Sequence, residues 1–348
     1  IPFLLVAFIN AFVDLGHKII IQNTIYKVYE GSTQLLLTAI VNALILLPFI
    51  LMLSPSGFLA DKYPKNLIMK LSAAFSVMLT IIICISYYNG AFWTAFTLTF
   101  IMGIQAALYS PSKYGFIKEL VGKDLLAMGN GAVNAVSIVA ILAGMSLFSL
   151  SFESLYDINH NSSEEVLKQV APLGFLLILF SLIELYLAWR LPKLKDEIKE
   201  LKFDSKRYLS GKLLMSNLKL IFENKVIWLC IVGISIFWAI SQLYLVSFPV
   251  FSKNELFIEN TFFVQVSLGF SGIGVVLGSL IAGRFSKNYI ELGLIPFGAL
   301  GVFLMALIMP YFTSLITYSF IFFIFGFCGA LFIIPLNSLI QFHAKENE

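Results

Sequence analysis

Charge is what this chain has least of. Its 348 residues include 23 Lys and Arg and 20 Asp and Glu, so 12% are charged, about half the share of an ordinary soluble domain. Hydrophobic residues make up 59% and the mean hydropathy is +0.90, which leaves too little polar surface to coat a water-soluble fold. Cysteine is scarce. Cys84, Cys230 and Cys328 stand singly inside apolar runs, which excludes a disulfide framework and a thiolate zinc site; they read as small buried apolar residues. Histidine occurs three times, with no pair at metal-ligand spacing. No nucleophile elbow appears, and no His-x4-Asp acyltransferase signature: Gln22 stands at that distance from His17 and Glu165 from His160. The segment is therefore expected to be no enzyme, and to carry neither cofactor nor metal.

What is present is apolar length. Stretches of about 20 apolar residues, enough to cross a bilayer as helix, recur at 2–27, 34–56, 67–88, 91–112, 125–151, 170–191, 226–250, 261–282, 290–310 and 313–341. Pro48, Pro55, Pro111 and Pro335 interrupt several of them, and such prolines mark kinks beside cavities in membrane helices. Lys62 and Lys65, then Lys113, Lys118 and Lys123, a dense run from Arg190 to Lys225, Arg284 with Lys287, and Lys345 follow the even-numbered spans. The opposite side offers Lys27, Lys168 and Lys253 among several acids. The positive-inside rule then predicts a cytoplasmic N-terminus.

The first span holds the most informative residues. Asn10, Asp14, His17 and Lys18 fall on one helical face, three and four positions apart. An ionisable group at bilayer depth costs several kcal/mol unless it meets a partner or a watery cavity, so this face is a candidate functional site. The bland alternative is that Asp14 and Lys18 neutralise each other at i,i+4. Glu184 lies about two turns inside the end of span six, where it pairs with a base, titrates, or meets a snorkelling Arg190. Lys113 reads either as a ligand-facing cation or as a snorkelling anchor. Gly272, Gly274 and Gly278 include a small-xxx-small spacing that favours close helix packing.

The chain repeats itself. Ala60-Asp61-Lys62-Tyr63-Pro64-Lys65 after span two is echoed by Ala282-Gly283-Arg284-Phe285-Ser286-Lys287 after span eight; Gly103, Ala107 and Leu108 in span four are echoed by Gly326, Ala330 and Leu331 in span ten. The polar stretch 192–225 separates the two halves, and its Leu214, Leu218 and Ile221 beside Lys212 and Lys219 predict an interfacial helix. The expected organisation is an N-terminal six-helix bundle over 1–191, a cytoplasmic linker over 192–225 and a four-helix C-terminal bundle over 226–348. Parallel halves around a linker are the plan of major facilitator transporters. The stretch Gly57-Phe58-Leu59-Ala60-Asp61-Lys62-Tyr63-Pro64-Lys65 resembles their loop motif between helices two and three. The expected fold is thus all-α, with two pseudo-symmetric helix bundles and about ten of twelve transmembrane helices present. With no starting Met, the chain is expected to be a segment of a longer protein.

The resemblance narrows to one family. Phe12-Val13-Asp14-Leu15-Gly16-His17-Lys18 with Gln22-Asn23-Thr24, Tyr109-Ser110-Pro111-Ser112-Lys113-Tyr114-Gly115, Asn130-Gly131 and Pro335-Leu336-Asn337 resemble the bacterial lysophospholipid transporter family. They are most like the transporter part of proteins in which acyltransferase and acyl-carrier-protein synthetase domains follow. Val13, Leu15 and Asn134 stand where members often carry Asn, Asn and Glu.

That resemblance implies a multi-pass bacterial inner-membrane protein. It would move lysophospholipids such as lysophosphatidylethanolamine to the cytoplasmic leaflet for reacylation, by alternating access and in partnership with those enzymatic domains. A phosphate needs cations, an ammonium needs an acid, and an acyl chain needs an apolar groove. Lys18 and Lys113 are expected at the phosphate and Asp14 at the ammonium, with His17, Asn10, Gln22, Gln105, Asn130, Asn134 and Gln242 as neutral hydrogen-bonding groups. Tyr109, Trp238 and Tyr244 would flank the acyl chain. The resemblance assigns latching of one access state to Asp61, with Lys62 and Lys65; Arg284, Lys287 and Glu184 complete the expected gating set. The alternative is a proton-coupled exporter of amphipathic small molecules, with Asp14, His17 and Glu184 carrying protons.

Overall fold

The computed structural model describes residues 2–122, 126–159, 162–194, 208, 211, 215, 219, 221–286 and 290–343; at 126–128, 130 and 341 only the backbone is described. Lys287 and Lys345 therefore lie outside the described residues, as does most of the expected linker helix, Lys212, Leu214 and Leu218 included. What is described is helical: α1 (Pro2–Val28), α2 (Gly31–Leu51), α3 (Leu53–Lys62), α4 (Lys65–Tyr88), α5 (Phe92–Val121), α6 (Leu126–Leu155), α7 (Ser163–Gln169), α8 (Leu173–Trp189), α9 (Lys225–Asn254), α10 (Thr261–Phe285), α11 (Leu294–Ile308), a 3-10 turn Met309–Tyr311 and α12 (Leu315–His343). Among the described residues nine helices are long and apolar enough to cross a membrane, and α7 with α8 makes a tenth span bent by 58°. The chain is an all-α, multi-pass membrane protein.

One of the expected spans is broken, and another is extended by a short helix before it. Span two divides into α2 and α3 at Met52, whose N–H closes the turn on Pro48 O at 2.7 Å. A proline at 48 cannot donate to the helix ladder, and Pro55 removes a second donor just beyond. Span six, expected over 170–191, corresponds to α8 and is preceded by the short helix α7. Ser162 Oγ accepts from Glu165 N–H at 3.2 Å, and Glu164 and Glu165 occupy the first turn of α7, where acids favour the helix dipole.

Contacts divide the chain into two compact units, Ile1–Phe203 with Asn260–Phe262, and Asp204–Glu259 with Phe263–Glu348. In the first, α1 packs against α6 and α8, α4 lies between α5 and α8, and α2 and α3 lie along α5. Phe3, Val6, Met69, Tyr109, Phe116 and Ala188 form one core of this unit. In the second, α12 packs on α9 and α11, around Phe237, Val302, Phe325 and Ile333.

Lipid is as apolar as these side chains, so close backbone approach through small residues decides which helices meet. At Gly103 of α5 a Cβ would lie 2.9 Å from Pro48 Cγ and 3.0 Å from Leu44 O of α2. At Gly326 of α12 it would collide with Ser271 O of α10, and at Gly274 and Gly278 of α10 with Phe323 O and Phe327 O of α12. The paired glycines of the sequence echo thus do the same work in each unit: span four closes on span two, and span ten on span eight. Gly274 and Gly278 serve packing, as their spacing suggested.

Candidate functional site

One turn of α1 points three ways. Gly16 faces α6, where any Cβ would overlap the Phe148 ring. His17 faces α4 and α5 and is fully buried. Its Nδ1 lies 2.7 Å from Tyr87 Oη, and its Nε2 lies 3.1 Å from both Ala95 O and Thr99 Oγ1. Both ring nitrogens are engaged inside the protein, so His17 pins α1 to its neighbours. Tyr87 and Thr99 carried no signal in the sequence beyond being polar residues in apolar runs.

Asp14 looks the other way, toward α5 and α8. Its electrostatic counterpart is Lys113 of α5, yet no ion pair within 4.0 Å joins it to Lys113 or to Lys18. The sequence offered Lys18 as the partner one turn away; the fold brings Lys113 instead. Lys18 is half-buried and stands apart. The Lys113 ammonium lies 4.8 Å from the Tyr114 ring centre and 5.9 Å from that of Tyr109, within cation–π reach.

Glu184 of α8 joins this cluster. It is fully buried, and it interacts with Asp14, Asn10 and Tyr109. Arg190 is not its partner; that guanidinium stacks over Tyr186 at 4.8 Å. Neither Glu184 oxygen completes a hydrogen bond, nor do Asn10 Nδ2, Asp14 Oδ1 or Tyr109 Oη. Native interiors pair nearly all such atoms. Five orphaned polar atoms on α1, α5 and α8 therefore mark a place built for something other than packing. An acid and a cation on different helices, near each other but unpaired, can bind a ligand that carries both charges.

The remaining expected residues disperse. Gln22 is buried on α1, while its neighbour Asn23 donates to Ser149 Oγ at 3.1 Å. Asn134 is exposed on α6 and Gln242 is half-buried on α9; of Asn130 only the backbone is described. Trp238 is largely exposed, and Tyr244 packs edge-on against Phe322 and Phe325. Gln105 bonds to Ser72 of α4 through its Nε2, at 3.2 Å to the carbonyl oxygen and 2.9 Å to Oγ.

Among the expected gating residues, Asp61 and Arg284 are exposed. Lys65 forms a 2.6 Å ion pair with Glu119 of α5. Each of those charges opposes its own helix dipole, Lys65 opening α4 and Glu119 closing α5, so pairing offsets both. Gly115 makes the pair possible, because a Cβ there would collide with Lys65 Cε. Glu119 was missed in the sequence, although an acid in a last helical turn is a signal. On the other rim of this unit Lys27 pairs with Glu153 at 3.0 Å.

Comparisons with known proteins agree with this architecture. A family model described as Major Facilitator Superfamily matches residues 3–348. The Lysophospholipid transporter LplT of Photorhabdus laumondii is 27% identical over 310 residues, covering 88% of this chain and 71% of the relative. Its namesake from Yersinia pestis is 24% identical over 304 residues, 87% and 68% of the two chains. Among solved structures, a bacterial homologue of the human lysosomal transporter Spinster superposes with a TM-score of 0.65 at 14% identity, covering 97% of this chain and 73% of that one. The xylose transporter XylE from E. coli gives 0.63 at 14% identity, covering 98% and 84%. At such identities the two structures speak for the fold alone.

Proposed function

The chain belongs to the Major Facilitator Superfamily, and from that premise we propose that it transports lysophospholipids across the bacterial inner membrane. The cargo is of the lysophosphatidylethanolamine kind, delivered to the cytoplasmic leaflet for reacylation by alternating access. Relatives named as lysophospholipid transporters support the substrate class. The observation that carries the reading is the separated Asp14–Lys113 pair in the first unit. A zwitterionic head group would satisfy both, its ammonium on Asp14 and its phosphate on Lys113. Tyr109 and Asn10 are positioned to hydrogen-bond it, and Lys18 adds positive potential one turn along α1. His17 acts here by fixing α1 rather than by touching cargo. Acyltransferase and acyl-carrier-protein synthetase domains, fused or associated, would consume the product; the present segment itself has no catalytic role. Asp61, Lys62, Lys65 and Arg284 would bias the access states.

The test is uptake of labelled lysophosphatidylethanolamine by proteoliposomes. Asp14→Asn and Lys113→Ala are each expected to lower initial rates at least tenfold, consistent with loss of a charge-assisted contact of about 1.5–3 kcal/mol. Unchanged uptake in both variants at equal reconstitution would refute the reading.

One observation favours the second reading, a proton-coupled exporter of amphipathic small molecules. Neither Glu184 oxygen completes a hydrogen bond, which leaves the carboxyl able to carry a proton. Flux that follows an imposed pH gradient and is indifferent to competing lysolipid would select this reading over the first.

A further inference from the structure

Gln105 belongs to a second feature of the first unit. It lies at the floor of a groove of about 440 Å3 formed by α3, α4 and α5, within the span of about 300–1,000 Å3 typical of small-molecule sites. The walls are apolar, with Leu59, Leu67, Leu71 and Phe75 among them. Leu67 and Leu71 are 40% and 59% exposed, so the groove opens outward from the unit. Gln105 itself is 1% exposed. Its two hydrogen bonds to Ser72 orient the amide, because the Ser72 carbonyl can only accept. That orientation leaves Gln105 Oε1 as a buried acceptor without a donor, a costly arrangement among leucines. At the α3–α4 end, Tyr63 lines the groove, and the Lys62 ammonium stands 5.3 Å from the Tyr63 ring centre. Among the described residues no carboxylate lies within ion-pair distance of Lys62. Asp61 beside it is exposed, and Lys65 is already engaged by Glu119.

We propose that this groove is a binding site for a monoacyl glycerophospholipid, with the acyl chain along the leucines, the phosphate toward Lys62 and the free glycerol hydroxyl donating to Gln105 Oε1. It rests on the lysophospholipid reading above and adds the element that separates cargo from bulk lipid. A diacyl phospholipid has an ester where the hydroxyl would be, so it has no proton to donate and brings a second chain to a one-chain groove. An acceptor left unmet by the wrong ligand is a stronger discriminator than a missing methylene.

The experiment uses the full chain in nanodiscs with a lysophosphatidylethanolamine whose acyl chain carries a photoreactive group. Cross-links are expected on the peptide containing Leu67 and Leu71. Competition by the 2-deoxy analogue, which lacks the hydroxyl, should be roughly tenfold weaker than by the parent lysolipid, the equivalent of one net hydrogen bond. In Gln105→Leu that difference should vanish, and Leu71→Trp, a filling change at an exposed position, should abolish the cross-links. Equal competition by the deoxy or diacyl lipid, or cross-links undiminished by Leu71→Trp, overturns the proposal. If the wild-type protein takes up lysolipid in proteoliposomes yet the groove is never labelled, the groove assignment alone fails. If no lysolipid is bound or transported, the transport reading fails with it.

Discussion

Glu184 carries a carboxyl on α8 with no exposed surface. A fully buried carboxyl whose oxygens complete no hydrogen bond is a stability cost that packing alone would not retain. Glu184→Leu is therefore expected to raise the thermal unfolding midpoint in detergent, by the equivalent of about 1–3 kcal/mol, while transport falls. A lower midpoint would show that Glu184 supports the fold. At this scale the sequence was half legible. It placed Asn10, Asp14, His17 and Lys18 on one helix, because helical periodicity is written in the spacing. It could not say that Asp14 turns toward Lys113 and Glu184 while His17 turns toward Tyr87 and Thr99. The 100° step that groups residues loosely on a face also separates Asp14 from His17 enough for different neighbours to claim them. Which neighbours those are depends on helix rotations that no local pattern records.

Between elements, single glycines and single ion pairs set the contacts. Lys65 and Glu119 tie the start of α4 to the end of α5 across Gly115. A double-mutant cycle with Lys65→Ala and Glu119→Ala should return a coupling of about 1 kcal/mol in thermal or denaturant unfolding. Gly115→Leu should reproduce the loss without touching either charge, since its side chain occupies the lysine's path; a full-strength coupling persisting in that variant would contradict this geometry. The pairing was hidden because Lys65 reads equally well as a topology-setting charge. The breaks were partly visible: Pro48 and Pro55 announced a disturbance in span two, but not that α3 would form a separate helix. The Ser162 cap was legible in hindsight as a Ser-x-x-Glu string, overlooked because it lies in a polar stretch between spans.

At the level of the whole molecule, apolar length gave the spans, because it is counted along the chain rather than across it. The echo of Gly103 in Gly326 is counted the same way and predicts a two-part plan. The expected cytoplasmic N-terminus makes a direct prediction. In a variant with Cys84, Cys230 and Cys328 replaced by serine, a cysteine at exposed Asn89 should react with a membrane-impermeant maleimide in spheroplasts. A cysteine at exposed Asp61 should react only after permeabilisation; the reverse pattern would invert the orientation. His17 bears on how such a molecule can change state. Held on two sides by α4 and α5, the first helix is not free to swivel about its own axis like a key in a lock. If the proposed alternation of access redirects its acidic turn, these contacts would carry the three helices along as a single block.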